Sequence, residues 1–257
     1  MKNSLLLSIF PGIDLLGKAF EQQGACVVQA QDKIMGGDIR SFHPPKGCFK
    51  GLLGGPPCQD FSRLNRKPSN YSYEMLEEYK RVVSEASPDW FLFENVIGAP
   101  EFEIKGYYQQ RFILDLAWFS DHSRRRVFVF GCKTDIKLNP INKINGDVKG
   151  TAVVGGDSRS YEACCEIQGL SSPLSLPFLT KEAKKQVIAN AVPLQLGTYV
   201  AQLINSTVYG TKVHIEQSEN IKRCGCGCGR RVLGRAKTSN ATCRKRLSRK
   251  TVSELCN

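Results

Sequence analysis

The sequence predicts an α/β fold, in which helices flank a sheet whose strands are mostly buried. Short apolar runs that end in glycine, proline or an acidic residue have the length and the flanks of buried strands. The stretches between several of them carry apolar residues every three to four positions, as expected for helices. With 257 residues and 41% hydrophobic content, the chain has room for one sizeable domain and an appendage.

The chain opens with a predicted strand, a glycine-containing turn and a helix. Residues 5–10 are apolar and predict the first strand, and Asp14 is suited to cap a helix over residues 15–23. This order is typical of the opening of a nucleotide-binding α/β unit. The next predicted strand, residues 26–30, is followed by Asp32, and a carboxylate at that place is suited to accept both hydroxyls of a ribose.

A reactive cysteine is predicted in the loop Gly-Gly-Pro-Pro-Cys-Gln-Asp-Phe-Ser at residues 54–62, which follows an apolar run at residues 49–53. Pro56 and Pro57 fix two φ angles, so the loop holds Cys58 in a defined position at the carboxyl end of a strand. A nucleophile requires such a position. A structural turn with a buried thiol is the alternative; Pro-Cys alone favours it, whereas the complete nonapeptide favours the nucleophile.

Further along the chain, helical spacing predicts a helix over residues 74–86 and an apolar run predicts a strand over residues 90–93. Glu94 follows that strand, so Cys58 and Glu94 both lie at carboxyl ends of strands, where open α/β sheets bind their ligands. The remaining predicted elements are a strand or short helix within 107–119, a strand at 126–131, and helices at 161–168, 181–189 and 194–205.

Five segments resemble, in the same order, the motifs of the cytosine-C5 DNA methyltransferases. They are Phe-Pro-Gly-Ile-Asp at 10–14, the cysteine loop at 54–62, Phe-Glu-Asn-Val at 93–96, Ser-Arg-Arg-Arg-Val-Phe at 123–128 and Ala-Asn-Ala-Val-Pro at 189–193. The resemblance covers roughly residues 4–204 and is specific because five motifs agree in register. It implies a Rossmann-like methyltransferase sheet, S-adenosylmethionine as cofactor, and methyl transfer to carbon 5 of cytosine in DNA.

The resemblance also implies the catalytic residues. Carbon 5 of cytosine becomes nucleophilic only after a thiolate adds to carbon 6, and Cys58 is the implied thiolate. Glu94 is the implied acid at N3, where it stabilises the charge that the attack creates. Arg124 and Arg126, alternate residues of one strand, point to the same side and match the family pair that braces the base and its phosphate. The target base must be flipped out of a duplex or already be single-stranded.

The cofactor pocket follows from the same resemblance. Asp38 matches a residue that accepts from the adenine amine, although the sequence alone favours a glycine-rich turn with an aspartate cap at this place. The chain departs from the family at Asp14, where many members have glycine, at His122 in place of glutamine and at Ala189 in place of glycine. The implied cofactor-binding residues are Phe10, Pro11, Gly12, Ile13, Asp14, Asp32, Asp38, Ile39, Pro56, Asn190 and Val192.

The domain boundaries follow from these matches and from composition. Residues 1–132 and 179–205 form the predicted catalytic domain, and residues 133–178 form a reduced recognition region. The first part of that region, about 25 residues with little apolar content, is too short for a core of its own. A linker is predicted at 206–221 and a basic, cysteine-rich tail at 222–257, as in compact phage-type members of the family.

The tail carries most of the net charge of +12, because eleven Lys and Arg and no Asp or Glu lie between Lys222 and Lys250. The rest of the chain carries only +1, so the tail predicts a polyanionic partner such as DNA. Four thiolates suffice for a tetrahedral zinc site. A disordered basic tail with incidental cysteines is the alternative. The predicted zinc ligands are Cys224, Cys226, Cys228 and Cys243.

No apolar run in the sequence approaches the roughly 18–20 residues of a membrane span. The N-terminal run is shorter than a signal-peptide core with its cleavage site, and the eleven cysteines are an odd number, so we expect a cytoplasmic protein with reduced thiols. Two other functions stay open at this point. One is the same chemistry on RNA, and the other is non-catalytic nucleic-acid binding on a methyltransferase scaffold.

Overall fold

The computed structural model describes residues 1–30, 32–33, 36–61, 69–140, 148, 150–210 and 244. The predicted linker beyond residue 210 and the tail, apart from Arg244, lie outside the described residues. The same holds for the predicted zinc ligands Cys224, Cys226, Cys228 and Cys243.

The described part of the chain contains eight β-strands and five α-helices. Strands β1 to β8 are, in order, Leu5–Ile9, Cys26–Gln29, Gly51–Gly54, Trp90–Asn95, Tyr108–Asp115, His122–Ser123, Arg125–Cys132 and Gly150–Thr151. Helices α1 to α5 are Leu15–Glu21, Tyr71–Ala86, Tyr161–Ile167, Lys181–Asn190 and Leu194–Tyr209. Short 3₁₀ turns occur at Ile39–Ser41, Gln59–Phe61 and Leu116–Trp118.

Six of these strands form one sheet in the order β2-β1-β3-β4-β7-β5. The first four are mutually parallel, whereas β7 runs antiparallel to both of its neighbours, with Glu94 of β4 opposite Phe128. As a result, the carboxyl ends of β1 to β4 and the amino end of β7 meet at one edge of the sheet. Ligand sites of open α/β sheets lie at that edge.

Both faces of the central strands β1, β3 and β4 are buried, which explains why these strands are continuous apolar runs rather than alternating ones. Leu6 and Leu53 face a cluster with α1 and α5, and their neighbours Leu7 and Leu52 face a second cluster with α2. Helix α2 supplies Tyr79, which is fully buried and contacts the rings of β4 edge to face.

Helix α5 is a core helix. Its Gly197 faces Ala19 of α1 so closely that an added Cβ would lie 3.0 Å from that residue's methyl group. Near its end, Tyr209 Oη accepts a hydrogen bond from Trp90 Nε1 at 3.0 Å. By length and composition alone the stretch Lys181–Tyr209 passes as a membrane span, yet 61% of its most apolar window is buried inside the protein.

The structure confirms the predicted α/β fold, and each predicted strand and helix is present. Helix α2 begins at Tyr71 rather than at residue 74, and α5 continues to Tyr209 rather than ending at 205. The segment 107–119, which sequence patterns left open between strand and helix, contains β5 followed by the 3₁₀ turn Leu116–Trp118.

The described residues of the segment 133–178 pack on the rest of the protein. Strand β8 pairs in parallel with β6, which places Gly150 beside His122. The apolar residues of α3 and its surroundings share a cluster with Leu15 of α1 and Ile188 of α4. Residues that the segment contributes to this shared cluster are Val153, Tyr161, Cys164, Cys165 and Leu170.

Candidate active site

A cavity of about 370 Å³ opens at the edge where β1 to β4 end and β7 begins. All four predicted catalytic residues and nine of the eleven predicted cofactor residues line it. They come from the loops after β1, β2, β3 and β4, from the start of β7 and from the end of α4. The predicted residues in the lining are Phe10, Pro11, Gly12, Ile13, Asp32, Asp38, Ile39, Pro56, Cys58, Glu94, Arg124, Arg126 and Asn190.

Cys58 is half-buried on the loop between β3 and the 3₁₀ turn Gln59–Phe61. Two contacts from the end of β4 hold this loop. Asn95 Nδ2 donates to the carbonyl of Pro56 at 3.0 Å, and Gly98 lies so close that a Cβ there would come within 2.4 Å of the Phe61 carbonyl oxygen. The Cys58 thiol therefore lies on a loop that is held in place by residues at and just after the end of β4.

Asp60 ties the same loop to the start of α2. Its carboxylate accepts from the amides of Ser69 and Ser72, each at 2.7 Å, and its own amide donates to Ser72 Oγ at 3.0 Å. These hydrogen bonds stabilise the charged form and lower the pKa of Asp60. Cys58 is thus fixed from two directions, by β4 and by α2.

Glu94 and Arg126 form a buried ion pair beside Cys58. Arg126 Nε lies 3.0 Å from Glu94 Oε1, and the two side chains are 17% and 10% exposed. A Cβ at Gly55 would lie 3.0 Å from Glu94 Oε2, so the glycine leaves room for the carboxylate against the cysteine loop. Burial raises the pKa of Glu94 above its ordinary value, and Arg126 and Arg124 partly offset the rise.

The thiol responds to the same charges. Burial raises the pKa of Cys58, Arg126 and Arg124 lower it, and Glu94 raises it. The two arginines therefore favour the thiolate form of Cys58, whereas burial, the largest influence, and Glu94 oppose it.

Arg124 lines the cavity but makes different contacts from Arg126. It is 8% exposed, and its guanidinium donates to main-chain carbonyls rather than to Glu94. Asp115, at the end of β5, fixes its backbone: Asp115 Oδ1 accepts from the Arg124 amide at 2.9 Å and Oδ2 from Ser123 Oγ at 3.0 Å. Burial lowers the pKa of Arg124 to about 9.

The other half of the cavity is formed by main-chain turns and exposed carboxylates. Asp32 Oδ2 accepts from the amide of Gly12 at 3.2 Å, which joins the turns after β1 and β2. Asp38 caps the turn Ile39–Ser41 through the Arg40 amide and also forms a bidentate ion pair with the Arg40 guanidinium. This pairing lowers the pKa of Asp38 to about 2. Asp38 therefore both caps the turn and faces the cavity.

Two predicted cofactor residues, Asp14 and Val192, lie behind the cavity wall and do not line it. Asp14 caps α1: its Oδ1 accepts from the Gly17 amide at 2.9 Å and from Ser8 Oγ at 2.8 Å. Its φ of 47° is in the left-handed region, which glycine adopts without steric cost. Val192 packs in the core beside α5. Of the two other departures from the family, His122 lies outside the lining and Ala189 lines the cavity.

The family model described as C-5 cytosine-specific DNA methylase matches residues 18–155, more than half of the chain. The chain belongs to this family. The match includes Cys58, Glu94, Arg124 and Arg126, whereas the segments 10–14 and 189–193 lie outside it.

Individual relatives agree with this assignment. The Type II methyltransferase M.FnuDI of Fusobacterium nucleatum is 30% identical over 252 residues, which cover 77% of this chain and 72% of that protein. M.DdeI of Desulfomicrobium norvegicum is 35% identical over 107 residues, but these cover 35% of this chain and only 26% of M.DdeI. The S. pombe Dnmt2 methyltransferase structure shares the fold, with a TM-score of 0.56 and 14% identity over 79% of this chain and 99% of that one.

This member of the C5 methylase family also has cavity residues that sequence reasoning missed. Tyr71 and Met75 come from the start of α2, and Lys33 places its Nζ 4.2 Å from the centre of the Tyr71 ring. Gln59 and Val187 complete the wall. Of these five residues, only Gln59 lies in a matched motif. Tyr71 reaches the cavity because α2 begins at Tyr71, three residues earlier than the sequence predicted.

Asn95 is the other residue that sequence reasoning left without a role. It lies in the matched segment 93–96, directly after Glu94, and the structure shows its side chain to be buried. As for metals, no group of three or more His, Cys, Asp or Glu within the described ranges is arranged to hold an ion. The four predicted zinc ligands are not among those residues.

Proposed function

We propose that this protein transfers a methyl group from S-adenosylmethionine to carbon 5 of a cytosine in DNA. One observation carries the proposal: a single cavity is lined by Cys58, Glu94 and Arg126 on one side and by the turns after β1 and β2 on the other. A methyl donor and a target base must be adjacent for direct transfer, and a shared cavity supplies that adjacency.

The cofactor half suits S-adenosylmethionine in chemistry. The whole cavity, of which this half is a part, has a volume of about 370 Å³, within the range of small-molecule sites. Asp32 is suited to accept from the ribose hydroxyls and Asp38 from the adenine amine, and Ile39 and Met75 offer apolar surface for the ring. When bound, the cofactor supplies an electrophilic methyl group; the residues of the chain bind and orient it.

We assign the covalent step to Cys58, Glu94 and Arg126. The Cys58 thiolate adds to carbon 6 of the cytosine, and Glu94 holds or delivers a proton at N3 as charge develops on the ring. A carboxyl whose pKa is raised by burial is better suited to carry that proton at neutral pH than an exposed one. Arg126 orients Glu94 through their ion pair and favours the thiolate.

DNA is the proposed substrate because the matching family model is described as C-5 cytosine-specific DNA methylase, and the strand state of the DNA remains a prediction. The target base must leave a duplex to reach Cys58 in this cavity. Residues 133–178 are the proposed recognition region, and the apolar residues of its part from Val153 to Leu170 pack on α1 and α4 in a shared cluster. We expect loose sequence selectivity from so short a recognition region. We also propose a cytoplasmic location and the role of a compact phage-type enzyme.

The tail is the proposed source of affinity for phosphates. Its eleven cations, against +1 for the rest of the chain, are suited to contact several phosphates at once. We propose that Cys224, Cys226, Cys228 and Cys243 bind a structural zinc ion, on the ground of their chemistry and number. Truncation at Ser218 should remove bound zinc, measured by elemental analysis, and flatten the dependence of DNA affinity on salt.

Methyl transfer from labelled cofactor to duplex DNA, single-stranded DNA and transfer RNA tests the activity. Label on DNA supports the proposal if the labelled cytosines resist the chemical conversion that unmodified cytosine undergoes and if Glu94→Gln lowers the turnover. Label on transfer RNA alone supports the RNA alternative. Cofactor binding without transfer to any of the three supports the non-catalytic alternative.

A further inference from the structure

The guanidinium of Arg124 joins three parts of the chain that are distant in sequence. Arg124 directly precedes β7, and its Nη1 donates to the carbonyl of Val153 at 2.8 Å. Nη2 donates to the carbonyl of Ala189 at 2.6 Å and to that of Ala191 at 3.3 Å. Asp115 holds the Arg124 backbone from β5, so the side chain reaches these carbonyls from a fixed base.

The two alanine carbonyls belong to the end of α4, where helix carbonyls lack partners in the helix. A cation at a helix carboxyl end is also favoured by the helix dipole. Gln168 supports the same end: its Nε2 donates to the carbonyls of Ile188 at 2.5 Å and of Ala191 at 3.1 Å. Two buried side chains therefore hold the last turn of α4 in place.

This last turn is a wall of the cavity. Val187, Ala189, Asn190 and Ala191 all line it. The end of α4 is thus positioned by side chains that arise from β7 and from the end of α3, and a shift of Arg124 would move the wall. Arg126, two residues on, is instead committed to Glu94.

We propose that Arg124 is a positioning residue that holds the end of α4 as a wall of the cofactor half of the cavity, rather than a group that contacts the target base. The assignment rests on the proposed function, because the ligand concerned is S-adenosylmethionine. A planar guanidinium is required, since one ammonium group does not span the Val153 and Ala189 carbonyls in the same fixed geometry. The competing role is a substrate contact through Nε, which has no hydrogen-bond partner within the described residues.

The test compares Arg124→Met and Arg124→Lys with Arg125→Met, which removes the same charge from an exposed side chain of the same strand. Binding of S-adenosylhomocysteine is measured by calorimetry without DNA, and amide exchange is followed at residues 187–193. Arg124→Met should weaken binding at least tenfold and speed exchange in that segment. Arg124→Lys should lie between it and the wild type, and Arg125→Met should stay within about twofold of the wild type.

A covalent adduct with DNA containing 5-fluorocytosine separates the two roles. If Arg124→Met binds S-adenosylhomocysteine normally, exchanges normally and loses only the adduct, Arg124 contacts the substrate and the proposal is wrong. If the wild type binds no S-adenosylhomocysteine, the proposed function fails, whereas exchange at residues 187–193 still tests the wall. Should Arg124→Met not fold, Arg124→Lys decides by the same two measurements, since it retains the buried charge.

Discussion

Two ion pairs of the same type lie in the two halves of the cavity, but the pKa values of their carboxyl groups depart from the ordinary values in opposite directions. Arg40 and Asp38 pair on the surface, where the side chains are 49% and 37% exposed, and the pKa of Asp38 falls to about 2. Arg126 and Glu94 pair with 17% and 10% exposure, and the pKa of Glu94 rises. The partner decides the pKa on the surface, and desolvation decides it in the interior.

This difference in carboxyl pKa suits the two halves of the cavity to different tasks. In the cofactor half, the lowered pKa keeps the Asp38 carboxylate ionised and able to accept hydrogen bonds. In the half with Cys58, burial raises the pKa of both Glu94 and the thiol, so their charged forms are disfavoured. Mutations in the two halves should therefore differ in kind as well as in size.

The largest effect is expected from Cys58→Ser, which replaces the proposed nucleophile in the half that performs chemistry. The hydroxyl is a far weaker nucleophile, so methyl transfer and the adduct with 5-fluorocytosine DNA should both be lost. The affinity for S-adenosylhomocysteine should change little, because that ligand is assigned to the other half. A persistent adduct in the variant would exclude Cys58 as the nucleophile.

Arg126→Met should strongly destabilise the protein at neutral pH, because it leaves Glu94 buried without its partner. Loss of one member of a buried pair costs about 3–5 kcal/mol. The pKa of Glu94, already raised in the folded state, should rise further, so the variant is stabilised below the unfolded pKa and loses that stability as pH rises through the folded pKa. Denaturant unfolding between pH 5 and pH 8 measures the trend.

Two further variants serve as controls for that experiment. Arg125→Met removes a charge from the exposed neighbour and should have a small effect at every pH. Adding Glu94→Gln to Arg126→Met removes the buried charge and should recover stability at pH 8. A double variant as unstable as Arg126→Met alone would mean that Arg126 acts through packing and not through Glu94.

Smaller effects are expected on the pKa of the Cys58 thiol, and their direction should depend on whether Arg126 or Glu94 is replaced. The rate of Cys58 alkylation, followed on its own peptide by mass spectrometry, should have a midpoint above the ordinary thiol value of about 8.5. Since Arg126 lowers the pKa of Cys58 and Glu94 raises it, Arg126→Met should move the midpoint up and Glu94→Gln should move it down. Shifts of the same sign in both variants would contradict this electrostatic account.

Sequence patterns predicted β1, β3 and β4 because each is an apolar run that stands next to a turn signal, whereas the polar residues of β5 left that segment open between strand and helix. They did not predict that β7 inserts antiparallel between β4 and β5, since pairing depends on contacts between segments distant in sequence. That insertion is what brings Arg126 to Glu94. Spacing alone placed both arginines on one side of a strand, but it did not distinguish the ion pair of Arg126 from the carbonyl contacts of Arg124.

Asp14 shows the same limit within the first turn. The sequence marked it both as a helix cap and, by resemblance, as a cofactor residue, and the structure places it behind the wall as the cap. Whether a side chain next to a binding turn faces the ligand or the helix depends on its φ angle and on Ser8, which a motif does not specify. The role of Asn95 was missed for a related reason, since its partner is a carbonyl and leaves no pattern in the sequence.

Asp14→Asn should have the smallest effect on stability. The pH dependence of this effect extends the comparison of Asp38 and Glu94 to a third carboxyl, that of Asp14. Asp14 is buried like Glu94, but hydrogen bonds from Ser8, Gly17 and Gln29 take the place of an arginine, and burial raises its pKa. Asparagine caps helices as well as aspartate and tolerates the left-handed φ, so the stability at neutral pH should stay within about 1 kcal/mol of the wild type. A group with a raised folded pKa adds stability below its unfolded pKa and loses it as pH rises. The wild type should therefore lose stability relative to Asp14→Asn between pH 4 and pH 7 in urea unfolding.

Asp14→Ala, which lacks the cap, should be less stable than the asparagine variant by about 1–2 kcal/mol throughout. A difference between wild type and Asp14→Asn that does not vary with pH would mean that the buried carboxyl is not the titrating group.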